Sequence, residues 1–250
     1  MRSYIEQLPD IMETSGTYLY GGRRNLIKSF TAPDGTELNV KRFRQPSFLN
    51  NIIYSSGIRV AKGRRAFSYP DRLLEKDVET PRAVAYIEER NTLGLLGQCY
   101  FVSLQCPYRH QLYEMGDATP EAYEPMAIAL AHFAAHMHDQ QILHRDFSPG
   151  NILWDYSDQP EKQGQKEPMS YKFSVVDINR MKFGPVSMED GCKSFSRLWG
   201  PKRFIQLLVE EYARLRGFDQ KESVMIAMKA RAAFWNRYQK KHEIEFKLEL

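Results

Sequence analysis

Apolar and polar positions alternate in short runs along the front of the chain, and turn signals separate the runs. Residues 17–20 lead into Gly21-Gly22-Arg23-Arg24 and then into residues 25–30, while Pro33-Asp34-Gly35-Thr36 is followed by residues 37–43. Period-two runs joined by such turns predict three consecutive antiparallel strands. A helix is expected over about 61–76, and two further strands at 83–88 and 98–104. The period then lengthens. Thr119-Pro120-Glu121 opens a helix running to about 139, with Met126, Leu130, Phe133 and Met137 on its apolar stripe. Residues 152–154 and 173–176 read as short strands, with the polar run 155–170 an exposed loop between them. Everything after Met188 reads as helix, with Phe204, Ile205, Leu207, Leu208, Met225, Ile226 and Met228 on buried faces. There are no internal repeats. A strand-rich front (1–105) and a helical back (106–250) therefore meet near residues 103–107.

Composition adds exclusions. With 42% hydrophobic residues among 250, the chain can build a core, so disorder is excluded. No apolar run approaches the roughly 18 residues of a membrane span, and the first residues hold no secretory signal core. Cys99, Cys106 and Cys192 are too scattered for a disulfide framework or zinc knuckle and read as buried thiols of a cytoplasmic protein. His132, His136 and His138 include an i, i+4 pair, but no third ligand accompanies it and packing explains it better. Trp154, Trp199 and Trp235 read as core residues.

The net charge of +4 is modest but unevenly placed: Lys41, Arg42, Arg44, Arg59, Lys62, Arg64 and Arg65 fall where no acid lies between Glu37 and Asp71. Apolar residues 48–54 interleave with them. Basic plus apolar composition suits an anionic membrane surface or a phosphorylated glycolipid, with Arg42, Arg44, Arg59, Lys62, Arg64 and Arg65 as candidate contacts. Packing within the fold with one solvated face is the competing reading, and nucleic acid is not the expected partner.

The candidate chemistry lies in His144-Arg145-Asp146-Phe147-Ser148-Pro149-Gly150-Asn151. Phosphoryl transfer asks a protein for positioning and charge neutralisation: a carboxylate at the acceptor hydroxyl, oxygen ligands for Mg²⁺, and a cation and backbone amides for the phosphates. Asp146 and Asn151 share one loop, bent by Pro149-Gly150, which lets the first face an acceptor and the second a metal. His144 and Arg145 would brace that loop. Asp177 ends an apolar strand, where a carboxylate is costly unless paired or bound to a cation, so it is the second candidate metal ligand. Lys41 supplies the cation from the third strand, and Gly21-Gly22 would let amides approach phosphate.

Lys41, His144-Arg145-Asp146 with Asn151, and Asp177 together resemble the protein-kinase superfamily signature. The frame at Gly22–Lys28, Val40-Lys41-Arg42-Phe43, Thr80-Pro81-Arg82-Ala83 and Asp177-Ile178-Asn179-Arg180 is similar to the lipopolysaccharide core kinases, which phosphorylate Kdo or heptose sugars on lipid A. The resemblance spans roughly residues 15–185. It implies an α+β, bilobal protein-kinase-like fold, with a small antiparallel N-lobe sheet carrying one helix and a mainly helical C-lobe. It also implies ATP and Mg²⁺ as cofactors, Asp146 as base, Asn151 and Asp177 as Mg²⁺ ligands, and Lys41 with Gly21 and Gly22 at the ATP phosphates. Three positions depart from the superfamily pattern. The glycine turn is short, Asn179 replaces a glycine, and no glutamate falls in the usual place opposite Lys41. Glu75 is the nearest helical candidate, and Ala66 stands at the equivalent site. About seventy residues follow Asp177, with no Ala-Pro-Glu sequence, so a glycolipid or small sugar acceptor is expected in place of a peptide. The implied place of action is cytoplasmic, peripheral to the inner face of the cytoplasmic membrane. Another small acceptor, aminoglycoside-like, or a binding module that keeps the fold without turnover, are the alternatives.

Overall fold

Alternation along the front strands decides which face each side chain occupies. The computed structural model describes residues 1–21, 25–45, 60–92, 94–157 and 170–250. Its first unit comprises Met1–Pro107 with Asp177–Asn179, and its second Tyr108–Val176 with Arg180–Leu250. In the first, β1 (Thr17–Gly21), β2 (Asn25–Thr31), β3 (Glu37–Phe43), β4 (Ala83–Arg90) and β5 (Leu96–Leu104) form an antiparallel sheet in the order β1-β2-β3-β5-β4. Leu38 and Val40 of β3 and Tyr100 and Val102 of β5 pack with Leu8 and Met12, contributed by α1 (Arg2–Ile11) and the residue after it. Phe43 and Cys99 have the opposite parity and pack with Ala61 and Ala66 of α2 (Lys62–Leu74) and its N-cap. Each buried Leu, Val, Met or Phe among them is worth about 1.5–3 kcal/mol, and a one-residue slip would move each set to the face that fits the other.

The same parity separates the two adjacent cations of β3. Arg42 points with Leu38 and Val40 and forms an ion pair with Glu13, just beyond α1. Lys41 shares the face of Phe43, whose ring centroid lies 5.4 Å from its Nζ. Helix α1 was not legible in the alternation of the front, and Pro9 lies inside it. Helix α2 approaches the sheet closely through Gly63, where a Cβ would fall 2.5 Å from Cε2 of Tyr86.

In the second unit α3 (Pro120–Asp139) buries Met126, Leu130 and Met137, whereas Phe133 of the expected stripe is half-buried. Strands β6 (His110–Gln111), β8 (Ile152–Tyr156) and β9 (Tyr171–Val175) form one small antiparallel sheet. β7 (Ile142–His144) pairs with β10 (Met181–Phe183). The expected loop 155–170 starts late, because Asp155 and Tyr156 belong to β8; residues 158–169 lie outside the described residues. Asp155 is buried and held by the guanidinium fork of Arg109 at 3.0 and 2.7 Å, and that hydrogen bonding keeps its carboxyl well below the usual range.

Contrary to what its pattern predicts, the back of the chain is not helical throughout. Three α-helices occur there, α4 (Met188–Ser194), α5 (Lys202–Arg216) and α6 (Gln220–Tyr238), with a short 3-10 turn at Phe195–Arg197 after the first. Gly217, at φ +68°, ends α5 as a left-handed cap. Met225, expected in the core, is 64% exposed. Beyond α6 the chain leaves the helix because Phe246 stacks on Trp199 at 4.8 Å and the Lys247 amide donates to Asp117 at 2.8 Å. Among the described residues no helix is long and apolar enough to cross a membrane. The three cysteines are buried, and none is joined in a disulfide.

Of the histidines on α3, His132 pairs with Glu211 at 3.0 Å, while His138 is 2% exposed with Nδ1 2.9 Å from the Tyr212 hydroxyl. Burial, reinforced by the Arg216 cation, pushes the His138 pKa down to about 3. An unfolded histidine titrates near pH 6.5, so between there and the folded value the unfolded chain holds a proton that the folded one does not. The stability due to neutral His138 is complete above that window and falls, as pH drops through it, by about 1.4 kcal/mol per pH unit. His138→Gln is expected to flatten this acid limb in urea unfolding across roughly pH 6 to 4. A slope equal to wild type would contradict the assignment.

Candidate functional site

The candidate residues fall into two groups, one in each unit. In the first, Lys41 projects from β3 and forms an ion pair with Asp177; their side chains are 11% and 28% exposed. Asp177 stands at φ +55°, a left-handed backbone that costs an L-residue of order 1 kcal/mol and that Asp and Asn tolerate better than most. Asn179 is buried, and its amide donates to the Asp177 carboxylate at 2.5 Å. The residue that departs from the glycine pattern therefore fixes the carboxylate. Glu75, the nearest helical candidate for a partner of Lys41, is exposed past the end of α2, and Ala66 of that helix packs with Phe43. Lys41 instead takes its counter-charge from Asp177.

In the second unit the loop after β7 is tied down at almost every residue. His144 is fully buried; its Nδ1 accepts from the Asp146 amide at 3.1 Å and its Nε2 donates to the Val176 carbonyl at 3.0 Å, which requires the neutral Nε2–H tautomer. Phe147 is 1% exposed, with its ring 6.0 Å from Phe195. The Asp146 carbonyl accepts from the Ser148 amide at 2.8 Å and from Asn151 Nδ2 at 2.9 Å. Asn151 Nδ2 also donates to Ser148 Oγ at 3.2 Å, so both of these bonds use the amide nitrogen and Oδ1 is left to accept a hydrogen bond or coordinate a cation. The Val176 amide donates to the Asn151 carbonyl at 3.0 Å, which joins the loop to the end of β9. Tyr113 lies against Gly150, where a Cβ would fall 2.8 Å from its ring. Bracing was expected of Arg145 as well, but its side chain is exposed and makes no hydrogen bond or ion pair among the described residues.

The Asp146 carboxylate, 20% exposed, meets two guanidiniums from outside its own loop: Arg180 at 3.4 Å on Oδ2, and Arg197 on Oδ1. Arg180 was visible within the motif after Asp177. Arg197 is 51 positions from Asp146 and carried no local signal.

Of the remaining expected contacts, Gly21 ends β1 beneath the Tyr18 phenol, and Gly22 lies outside the described residues. In the basic block, Arg44, Lys62 and Arg64 are exposed, Arg65 is half-buried, Arg42 is ion-paired, and Arg59 lies outside the described residues.

No family model and no curated protein matches this chain. Solved structures do. WaaP in complex with acyl carrier protein matches at 18% identity and a TM-score of 0.58, covering 95% of this chain and 93% of that one. The Rio2 kinase–ADP/Mg²⁺–phosphoaspartate complex from Chaetomium thermophilum matches at 14% identity and 0.51, covering 95% and 70%. A second Rio2 kinase structure from that organism matches at 13% and 0.50, covering 95% and 77%. Across almost its whole length, the chain has a protein-kinase-like fold.

Proposed function

We propose that this protein is an ATP- and Mg²⁺-dependent phosphotransferase acting on a sugar hydroxyl, Kdo or heptose, of the lipopolysaccharide inner core or lipid A. The observation that carries the proposal is the tied loop, in which the backbone of Asp146 makes the bonds that shape the loop while its carboxylate, 20% exposed, engages only the partly exposed guanidiniums of Arg180 and Arg197. Asp146 takes the proton of the acceptor hydroxyl. The acceptor oxygen bonds to the γ-phosphorus, the bond from that phosphorus to the bridging oxygen breaks, and ADP leaves with the electron pair.

Asn151 Oδ1 and the Asp177 carboxylate are hard oxygen donors, the kind Mg²⁺ prefers, and they would hold the ion. Mg²⁺ when bound neutralises phosphate charge during transfer. Lys41 would release Asp177 to the metal and turn to the phosphates. The ion pair between them supports this, since two half-buried charges already compensate each other at the place each is needed. Gly21 and Gly22 belong with the phosphate-binding turn. The likeness to a Rio2 kinase holding ADP and Mg²⁺ supports the cofactors.

The likeness to WaaP over nearly the full length of both chains stands beside the sequence resemblance to lipopolysaccharide core kinases and supports the acceptor class. Exposed Arg44, Lys62 and Arg64 suit contact with a lipid-linked acceptor at an anionic, inner cytoplasmic membrane surface.

The test is transfer of label from γ-labelled ATP to Kdo-bearing lipid A, to a heptose-bearing core acceptor and to an aminoglycoside, with and without chelator. Transfer to the core sugars that stops on Mg²⁺ removal is the expected result. Transfer only to the aminoglycoside would overturn the acceptor class, and nucleotide binding without transfer to any acceptor would point to a binding module.

A further inference from the structure

Two arginines meet one carboxylate at Asp146, and stability does not explain the doubling. Arg180 and Arg197 are 55% and 36% exposed, and pairs so exposed contribute about 0–1 kcal/mol each. Their roots, by contrast, are fixed. Arg197 lies between buried Phe195 and the fully buried Leu198, and Arg180 between buried Asn179 and Met181. The Arg197 guanidinium also lies over the Phe234 ring, 5.2 Å from its centroid, which holds it in place whether or not Asp146 is engaged. One carboxylate against two guanidiniums leaves a surplus positive charge. Lys182, two residues beyond Arg180, is already matched by Asp190 at 2.8 Å and adds nothing to that surplus.

The occupied carboxylate sets a chemical requirement. To take a proton from a hydroxyl, Asp146 must free at least one oxygen, and a guanidinium displaced from it needs another anion. We propose that Arg180 and Arg197 form the anion-recognition element of the acceptor site, so that the acceptor carries an acid group beside its reacting hydroxyl. This rests on the reading of Asp146 as the base. Arg180, longer-ranged at 3.4 Å and more exposed, exchanges its partner first, while Arg197 stays seated on Phe234 and orients the acid group. A planar guanidinium fork matches a carboxylate or a phosphate. Of the two sugars in the proposed function, Kdo, a sugar acid, meets the requirement directly. A heptose meets it only when already phosphorylated, which makes the reaction that installs that phosphate a necessary predecessor.

The test compares Kdo-bearing acceptor, the same acceptor with its carboxyl methyl-esterified, and heptose acceptors with and without a phosphate monoester. Each is assayed with wild type, Arg180→Gln, Arg197→Gln and Arg197→Lys, reading kcat and KM separately. In wild type, esterification is expected to raise KM about 10–100-fold with a smaller change in kcat. Arg197→Gln should raise KM for the acid acceptor by a similar factor and leave the ester little affected, so the discrimination collapses; Arg197→Lys should restore part of it. The phosphorylated heptose outperforming Kdo would assign the site to phosphate; the reverse assigns it to carboxylate.

Equal use of acid and ester by wild type, together with equal use of the heptose acceptors with and without phosphate, overturns the proposal and leaves the kinase reading standing. So does equal loss on both acceptors in every variant, with melting temperature and Mg²⁺-ATP binding intact. Free Kdo, followed by saturation-transfer NMR, separates the remaining case. If no acceptor is phosphorylated but Kdo binds wild type and not Arg197→Gln, the anion site holds and the kinase reading falls; if Kdo does not bind either, both fall.

Discussion

Asp146→Asn is expected to lower kcat by about 10²–10⁴-fold and to shift the melting temperature very little. The two halves of that expectation have separate causes. The side chain is 20% exposed and its contacts are the partly exposed arginine pairs, each worth about 0–1 kcal/mol, and an amide oxygen still accepts from one guanidinium. The groups that shape the loop are the backbone carbonyl and amide of residue 146, bonded to Asn151, Ser148 and His144, and the substitution leaves them in place. What it removes is the anion able to accept the hydroxyl proton. Single-turnover rates and thermal melts on the same preparation separate the outcomes. A variant within a few-fold of the wild-type rate would dismiss Asp146 as the base, and a large loss of stability would make it a structural residue.

Arg231→Met should have the largest effect on stability, about 3–5 kcal/mol, or roughly 10 °C in melting temperature for a chain of this size. Arg231 is completely buried. Its guanidinium donates to the Leu198, Gly200 and Glu249 carbonyls, the last two at 3.0 and 3.3 Å, and packs near the rings of Trp235 and Phe246. Burial pulls its pKa down to about 10, so the cation persists at neutral pH. Methionine fills comparable space but leaves three carbonyls without a donor, and each costs about 1–3 kcal/mol less whatever water recovers as the tail loosens. Because Leu198 follows Arg197, the loss should reach the Asp146 loop as well. Urea unfolding checks it, and a change below about 1 kcal/mol would mean that water replaces the guanidinium at little cost.

Which parts of this molecule could be read from the chain follows from how local their causes are. The β1–β3 meander announced itself because alternation and turn residues act within a few positions, and helix α3 because Thr119-Pro120 marks its start. Helix α1 did not: Pro9 obscured it, and what stabilises it is distant packing against β2, β3 and β5. The residues of the coil after α6 permit a helix, whereas Phe246 on Trp199 and the Glu249 carbonyl on Arg231 decide otherwise. Among the site residues, the run from His144 to Asn151 was visible as a motif because its bonds are made within it. The exchange of Glu75 for Asp177 beside Lys41, the arrival of Arg197 at Asp146 and the pairing of Arg42 with Glu13 are tertiary events with no signal in their own neighbourhoods.

The central claim, transfer of phosphate to a core sugar by the loop around Asp146, is tested most directly by intact-mass spectrometry of Kdo-bearing lipid A after incubation with Mg²⁺-ATP and either wild type or Asp146→Asn. One phosphoryl group added by wild type, and none by the variant on the same timescale, is the predicted result. An acceptor left unmodified by wild type that nonetheless binds Mg²⁺-ATP, or modified equally by both proteins, would contradict it.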